Sequence, residues 1–302
     1  MNQEIQEFWD TKIDEKDFFE LALFLESTSE TDCPNNCLQS GYYYYLSDFD
    51  DVIAKGNFGI TFKAESTAKE DRGKEFVIKL IFIKDMFNLQ EAQNEFNIQE
   101  EVCEKMPDVV AEIETGEFCH PSCLRKDQGV FTIVMQKLDK TFKQVVNELV
   151  ANDNADGLLR EISKVVDLFH KFVEGGYIHR DAHSQNIMTH GSRQPTAYRL
   201  IDFGFAEKIR PDEIKELRNI DAFFFVIRVL CRDISNHWLL QKIRTSDDFC
   251  IKLAKIIRSV SCTKKAQQRL GLMDNRSLPG TVDSFVTEFD KVFAKTRLYN
   301  YL

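Results

Sequence analysis

The sequence predicts an α+β chain in which a small, mainly antiparallel sheet precedes a larger helical part. From Tyr42 to about Lys137, β-branched and aromatic runs recur between turns bearing glycine and aspartate. From about Thr141 onward the apolar residues recur at helical spacing instead. Between the helical stretches, Gly176 to Arg210 is loop-rich and holds two acidic motifs. Two such parts in sequence suggest a cleft between them, a common place for a ligand.

In chain order, residues 1 to about 28 carry apolar side chains at Ile5, Phe8, Ile13, Phe18, Leu21, Leu23 and Phe24, which suits an amphipathic helix broken near Asp14. A turn-rich stretch, STSETDCPNNCLQSG, follows, and residues 1–44 read as an extension that packs on what comes next. YYYYLSDFDDVIAKG and FGITFKAES are expected as two strands joined by a glycine turn, with KEFVIKLIFI as a third. The run NLQEAQNEFNIQEEVCEKM is helical in pattern. Two further strands, VVAEIETGEF and GVFTIVMQKL, flank a loop containing CHPSC. Helices are expected over 141–151, 155–174, 212–233, 246–260 and 282–295.

Composition narrows the classes. At 302 residues the chain can bury one large core or two smaller ones, and 43% hydrophobic with 29% charged residues is an ordinary globular balance. A formal charge of −10 argues against broad nucleic-acid or anionic-membrane binding, since both need a positive field. The densest apolar runs, LALFL and AFFFVIRVL, fall far short of the ~20 residues that span a bilayer. The acidic, polar N-terminus is unlike a secretory signal, so a cytoplasmic or nuclear location is expected. Eight cysteines are too sparse for a secreted disulfide scaffold.

Four local patterns carry chemistry. In AKGNFG, Gly56 and Gly59 let backbone N–H groups approach a phosphate, although a plain hairpin turn would use the same glycines. In FVIK, Lys79 lies on a strand among apolar neighbours and needs an anionic partner. Glu95, in the helix after that strand, is the natural one, with Glu91 as the fallback because Gln99 stands where an apolar residue would suit the helix better. In HRDAHSQN, Asp181 and Asn186 share one loop, and Asp202 follows the apolar strand YRLI. Carboxylate and amide oxygens suit Mg²⁺ held together with substrate phosphates, and an aspartate outside the coordination shell can accept a proton from an attacking hydroxyl.

Over about residues 48 to 235 these motifs resemble the protein kinase family. The resemblance implies a bilobal protein-kinase-like fold, with residues 45–137 as the N-lobe and 138–302 as the C-lobe. It further implies ATP as phosphoryl donor and Mg²⁺ as cofactor. Gly56 and Gly59 would cover the phosphates, Lys79 would hold them, and Glu95 would orient Lys79. Thr61, Val77 and Met188 would sandwich adenine, with Met135 as gatekeeper and Gln136 to Leu138 as hinge. Asp181 would be the catalytic base, Asn186 and Asp202 the Mg²⁺ ligands, Phe203 the side chain packed behind them, and Asp221 the buried anchor of the loop.

Two features depart from that pattern. The stretch between Asp202 and Asp221 is short, lacks A-P-E, and from Phe205 to Ile220 has no Ser, Thr or Tyr, so phosphorylation cannot order it. His183 replaces the usual loop lysine, giving the D-x-H-x-x-N form that aminoglycoside and choline phosphotransferases, haspin-like kinases and kinases of large DNA viruses also resemble. A histidine there either donates to the transferring phosphate or bonds a nearby carboxylate or carbonyl. Phe203, Gly204 and Arg180 favour an atypical serine/threonine protein kinase with a protein substrate over a small-molecule kinase acting on a metabolite hydroxyl. A kinase-fold scaffold is the third reading, although none of the lysine, base or metal ligands is lost. Finally, CPNNC and CHPSC place Cys33, Cys37, Cys119 and Cys123 in two C-x₃-C units that could hold a structural Zn²⁺, with His120 as a spare ligand. Reduced cysteines or disulfides are the alternative.

Overall fold

The computed structural model describes residues 3–27, 37–40, 43–57, 59–191, 197–234 and 246–259. The expected helix at 282–295 lies outside the described residues. The chain divides into two compact units, Met1–Pro107 with Ala111–Lys137, and Asp108–Val110 with Leu138–Leu302. Among the described residues no helix is long and apolar enough to cross a membrane.

The first unit begins with α1 (Gln3–Glu15) and α2 (Phe18–Ser27), separated where Lys16 takes a positive φ of 58°. Seven strands follow: β1 (Gln39–Ser40), β2 (Tyr44–Leu46), β3 (Val52–Lys55), β4 (Gly59–Ser66), β5 (Phe76–Ile83), β6 (Ile113–Cys119) and β7 (Gly129–Gln136). They pair antiparallel in the order β1-β2-β4-β5-β7-β6, with β3 also on β4. The long first strand expected from Tyr42 onward is two pieces. The residues between them prefer side-chain-bonded turns: Asp48 Oδ1 accepts the Asp50 N–H and Ser47 Oγ donates to Asp51.

Strand β5 shows why its sequence is a nearly continuous apolar run, because both of its faces are covered. Phe76, Ile78, Leu80 and Phe82 join one core with Trp9, Phe18, Leu21 and Leu25 of the first two helices. Trp9 meets Phe82 edge-on at 5.8 Å between ring centroids, and Phe18 stacks on Phe82 at 5.3 Å. The alternate residues Val77, Lys79 and Ile81 point to the other face, by the two-residue period of a strand. That face meets α3 (Met86–Lys105), capped by Asp85 accepting the Asn88 N–H, through Phe96 against Phe131. A hydrogen-bonded set, Gln6 to Gln128 at 2.7 Å and Gln128 to Asp10 at 2.8 Å, ties α1 to the β6–β7 loop.

Disulfide bonding overturns the four-thiolate zinc site expected at Cys33, Cys37, Cys119 and Cys123. Cys37 and Cys119 are joined as a disulfide, and Cys123 is also disulfide-bonded, so these sulfurs carry no thiolate charge to offer a metal. Cys33 lies outside the described residues, and His120 Nδ1 faces the Gln128 carbonyl at 3.0 Å. Among the described residues no group of three or more His, Cys, Asp or Glu is placed to hold a metal.

The second unit is mostly helical: α4 (Phe142–Ala151), α5 (Ala155–Glu174), α6 (Ile214–Leu217), α7 (Ile220–Arg228) and α8 (Asp247–Ser259). A capping box of Thr141 and Gln144 starts α4, and Asn154 caps α5. The helix expected over 212–233 is broken at Arg218 and Asn219, with Asn219 Oδ1 facing His170 Nε2 at 3.0 Å, and it ends in a π-turn over Val229–Asp233. The loop-rich section contains two small ladders, β8 (Tyr177–Ile178) with β11 (Glu207–Lys208) and β9 (Ile187–His190) with β10 (Ala197–Leu200).

The Cys37–Cys119 bond closes a sequence separation of 82 residues, which on loop entropy alone is worth about 4.5 kcal/mol. Cys119→Ser is therefore expected to lower unfolding stability in urea by up to about that amount. Reducing agent should destabilise both proteins, the wild type by more, because the variant keeps only the Cys123 disulfide. Equal stability of the two proteins under oxidising conditions would contradict the bond's contribution.

Candidate active site

In the first unit, Lys79 Nζ stands 2.6 Å from Glu95 Oε1. Both are largely buried, Glu95 being 4% exposed, whereas Glu91 is exposed, so the helix register puts Glu95 at the lysine. Gln99, one turn further along α3 and fully buried, donates to the Ala111 carbonyl at 3.2 Å and approaches Met135 Sδ at 4.0 Å. That hydrogen bond explains a polar residue where the helix pattern called for an apolar one. Strand register places Thr61 beside Lys79 and Val77 beside Met135, on the sheet face that carries Lys79. Gln136 ends β7 and donates its N–H to the Glu112 carbonyl at 2.8 Å.

The two loop glycines differ in what they require. Gly56 N–H donates to the Gly59 carbonyl at 2.9 Å, which closes the hairpin. A Cβ on Gly59 would stand 1.9 Å from the Leu80 carbonyl oxygen, so the neighbouring strand itself demands glycine there.

In the second unit, Asp181 is held on both carboxylate oxygens. Oδ2 accepts from Asn186 Nδ2 at 3.1 Å and lies 3.3 Å from His183 Nε2, while Oδ1 accepts from Arg228 Nη1 at 3.1 Å. Asn186 Nδ2 also donates to the Asp181 carbonyl at 3.1 Å. Because the amide spends its N–H₂ on Asp181, its oxygen is the end left to face an electrophile. His183 Nδ1 accepts the Gln185 N–H at 3.2 Å, so a neutral ring would carry its proton on Nε2, toward Asp181. His183 thus bonds a carboxylate, one of the two roles its position suggests. Burial pushes the Asp181 carboxyl up, but His183 and then Arg228 outweigh it and hold the group well below the usual carboxylate range.

The loop is tied down from beneath. Asp221, at the start of α7 and 1% exposed, accepts the N–H groups of His179 at 2.7 Å and Arg180 at 2.9 Å. Its own carboxyl is raised by burial, against the opposing pull of His179 and these hydrogen bonds. Arg180 and Asp202 both adopt left-handed backbone, φ 65° and 64°, conformations that cost about 1–3 kcal/mol each outside glycine. Arg180 Nη1 pairs with Glu207 Oε2 at 3.1 Å. Strand β10 leads to Asp202, and the Ile201 N–H donates to the Asn186 carbonyl at 3.1 Å, which links the two acidic motifs. Fully buried Phe203 packs on His179 and Phe172, with centroids 5.3 and 5.8 Å apart. Leu138 is buried in this unit, and Met188 sits on β9, bridged to Thr141.

The donor set fits Mg²⁺: hard oxygens on Asn186 and Asp202, too few for an all-protein cage and sufficient when phosphates complete the shell. The sequence motifs gave no sign of Arg228 or Glu207, and they offered the disulfide only as an alternative to zinc. For the last, two C-x₃-C units were the only signal.

A family model described as protein kinase domain matches residues 48–224. Calcium/calmodulin-dependent protein kinase type 1 of Caenorhabditis briggsae is 24% identical over 193 residues, covering 62% of this chain and 48% of that protein. The protein of the same description from Caenorhabditis elegans is 23% identical over 193 residues, covering 62% and 49%. The chain spans about half the length of the curated relatives it matches. Among solved structures, WaaP in complex with acyl carrier protein gives a TM-score of 0.47 at 11% identity, covering 80% of this chain and 88% of that one. Vaccinia related kinase 3 gives 0.37 at 16% identity, covering 56% and 49%. At these TM-scores neither likeness bears on what the chain acts on. The family model spans more than half of the chain, and the chain belongs to the protein kinase domain family.

Proposed function

We propose that the chain is an ATP- and Mg²⁺-dependent phosphotransferase, and that its acceptor is a serine or threonine hydroxyl of a protein. The observation that carries the reading is the Asp181 carboxylate held by Asn186, in a loop bonded through Ile201 to the strand that delivers Asp202. Membership of the protein kinase domain family and the Lys79–Glu95 ion pair support it.

In this reading Lys79 holds the α- and β-phosphate oxygens, with Glu95 keeping its ammonium in place. Asn186 and Asp202 would hold Mg²⁺, whose charge offsets the charge developing on the phosphates. Asp181 aligns the acceptor hydroxyl and takes its proton as the oxygen attacks the γ-phosphorus and ADP leaves. Rate then comes from positioning and electrostatics, without a covalent enzyme intermediate. The D-F-G form at Asp202 to Gly204 and Arg180 before Asp181 favour a protein acceptor. His183 and the short following segment are the features that keep a small-molecule acceptor as the second reading.

Incubation with Mg·ATP, generic proteins and a panel of small alcohols, read by mass spectrometry, tests the acceptor. Phosphoserine or phosphothreonine is expected; phosphorylated small molecules with unlabelled proteins would overturn the protein reading. Asp202→Ala, Asp181→Asn and Lys79→Met should each lower turnover by at least about 100-fold. Near-wild-type transfer by Asp202→Ala or Asp181→Asn would overturn the assignment. Because Glu207 already supplies an anion to Arg180 in a segment without hydroxyl side chains, phosphatase treatment should leave the rate unchanged. A rate that falls with dephosphorylation would contradict this.

A further inference from the structure

Arg228 is a buried arginine that the motif reading leaves without a task. It is the last residue of α7 and is 5% exposed. Its Nη1 donates to Asp181 Oδ1 at 3.1 Å and to the Ala182 carbonyl at 3.2 Å. Burying a guanidinium is costly, and the cost is met only where charge and hydrogen bonds are returned to it. Burial lowers its pKa, yet arginine starts so far above neutrality that the charge is retained.

The placement follows from the helix. Asp221 and Arg228 stand two turns apart on α7 and therefore share one face. Asp221 takes the backbone N–H groups of His179 and Arg180; Arg228 takes the side chain of Asp181 and the carbonyl of Ala182. One helix face thus holds four successive loop residues, with an anion for the donors and a cation for the acceptors. Directly after Arg228 the helix widens into the π-turn Val229–Asp233, a distortion that often accompanies functional positions. Asp233 of that turn pairs with Lys143 at 3.2 Å, and the Lys143 N–H donates to the Ser184 carbonyl at 3.1 Å, so a second tie returns to the same loop.

We propose that Arg228 is a positioning residue for phosphoryl transfer, clamping the Asp181 carboxylate from the helix side so that its outer oxygen addresses the acceptor hydroxyl. The proposal rests on the kinase reading given above. Its physical content is a division of labour. Asn186 and His183 restrain Oδ2 and Arg228 restrains Oδ1, so the carboxylate cannot turn about its χ2 bond without breaking a charge-assisted hydrogen bond. A guanidinium suits the task because it presents several donors in a rigid plane, whereas an ammonium is compact and pivots. A purely structural buried pair would instead show up in stability, with turnover and substrate affinity falling together.

The test is steady-state kinetics of the full chain with Arg228→Met and Arg228→Lys, alongside the wild type and thermal unfolding of each. Arg228→Met is expected to lower kcat by about 100-fold with the KM for ATP unchanged, the size of loss that misplacing a reacting group brings. Arg228→Lys, which keeps the charge, should recover about 10-fold of that loss. In an Asp181→Asn background, Arg228→Met should add no further loss, because the group it positions is already gone. If Arg228→Met does not fold, Arg228→Lys decides alone: a lowered kcat at unchanged ATP KM supports the proposal. A kcat equal to wild type in either variant, or kcat and ATP KM worsening together, overturns it. A wild-type chain that transfers no phosphate defeats the kinase reading first, an outcome distinct from an active wild type with indifferent variants.

Discussion

The carboxylate of Asp221 is the constraint on which the second unit depends. It is buried, and it accepts the N–H groups of His179 and Arg180 just before Asp181. Arg180 takes a left-handed backbone conformation that disfavours residues with a Cβ, and two backbone N–H groups donating to one anion help hold it there. Once that turn is set, the direction of the Asp181 side chain follows. Asn186, His183 and Arg228 then converge on the two oxygens of Asp181. Phe203 closing on the His179 ring joins the same anchor to the strand end that carries Asp202.

The first unit solves a different problem, that of holding a charged lysine on a sheet. Strand β5 has one face buried under the N-terminal helices through Phe76, Ile78, Leu80 and Phe82. The alternate face carries Lys79 to Glu95 on α3. Because a one-residue slip would exchange those faces, the aromatic contacts of Trp9 and Phe18 with Phe82 also defend the register that presents Lys79. The disulfide from Cys37 to Cys119 adds a covalent tie between the segment after α2 and strand β6. Sheet packing on one face and ion pairing on the other are thus coupled through strand geometry.

Much of this was legible in the sequence because it is written locally. The strand–helix order, the break between the first two helices and the Lys79–Glu95 pair follow from periodicity and from the need of a buried ammonium for an anion. The α+β class followed from strand runs giving way to helical ones. The loop from His179 to Asn186 and the strand before Asp202 were visible as motifs. What escaped was long-range. Arg228 partners a residue 47 positions away, and a helix-face arginine reads as solvated unless its burial is known. The two C-x₃-C units were compatible with metal or disulfide, and only the meeting of Cys37 with Cys119 separates the two. The split of the first strand depended on side-chain-bonded turns at Ser47 to Asp51, which compete with the ladder over a few residues.

Phosphoryl transfer itself is read most directly by ³¹P NMR of Mg·ATP and generic acceptor proteins mixed with the wild-type chain and with Asp181→Asn at equal concentration. Loss of the γ-phosphorus resonance and growth of ADP and phosphomonoester signals are expected with the wild type. With the variant the nucleotide should bind but persist, since Asp181 orients the acceptor and does not hold the phosphates. Persistence of ATP with the wild type, or equal decay in both samples, would contradict phosphoryl transfer through Asp181.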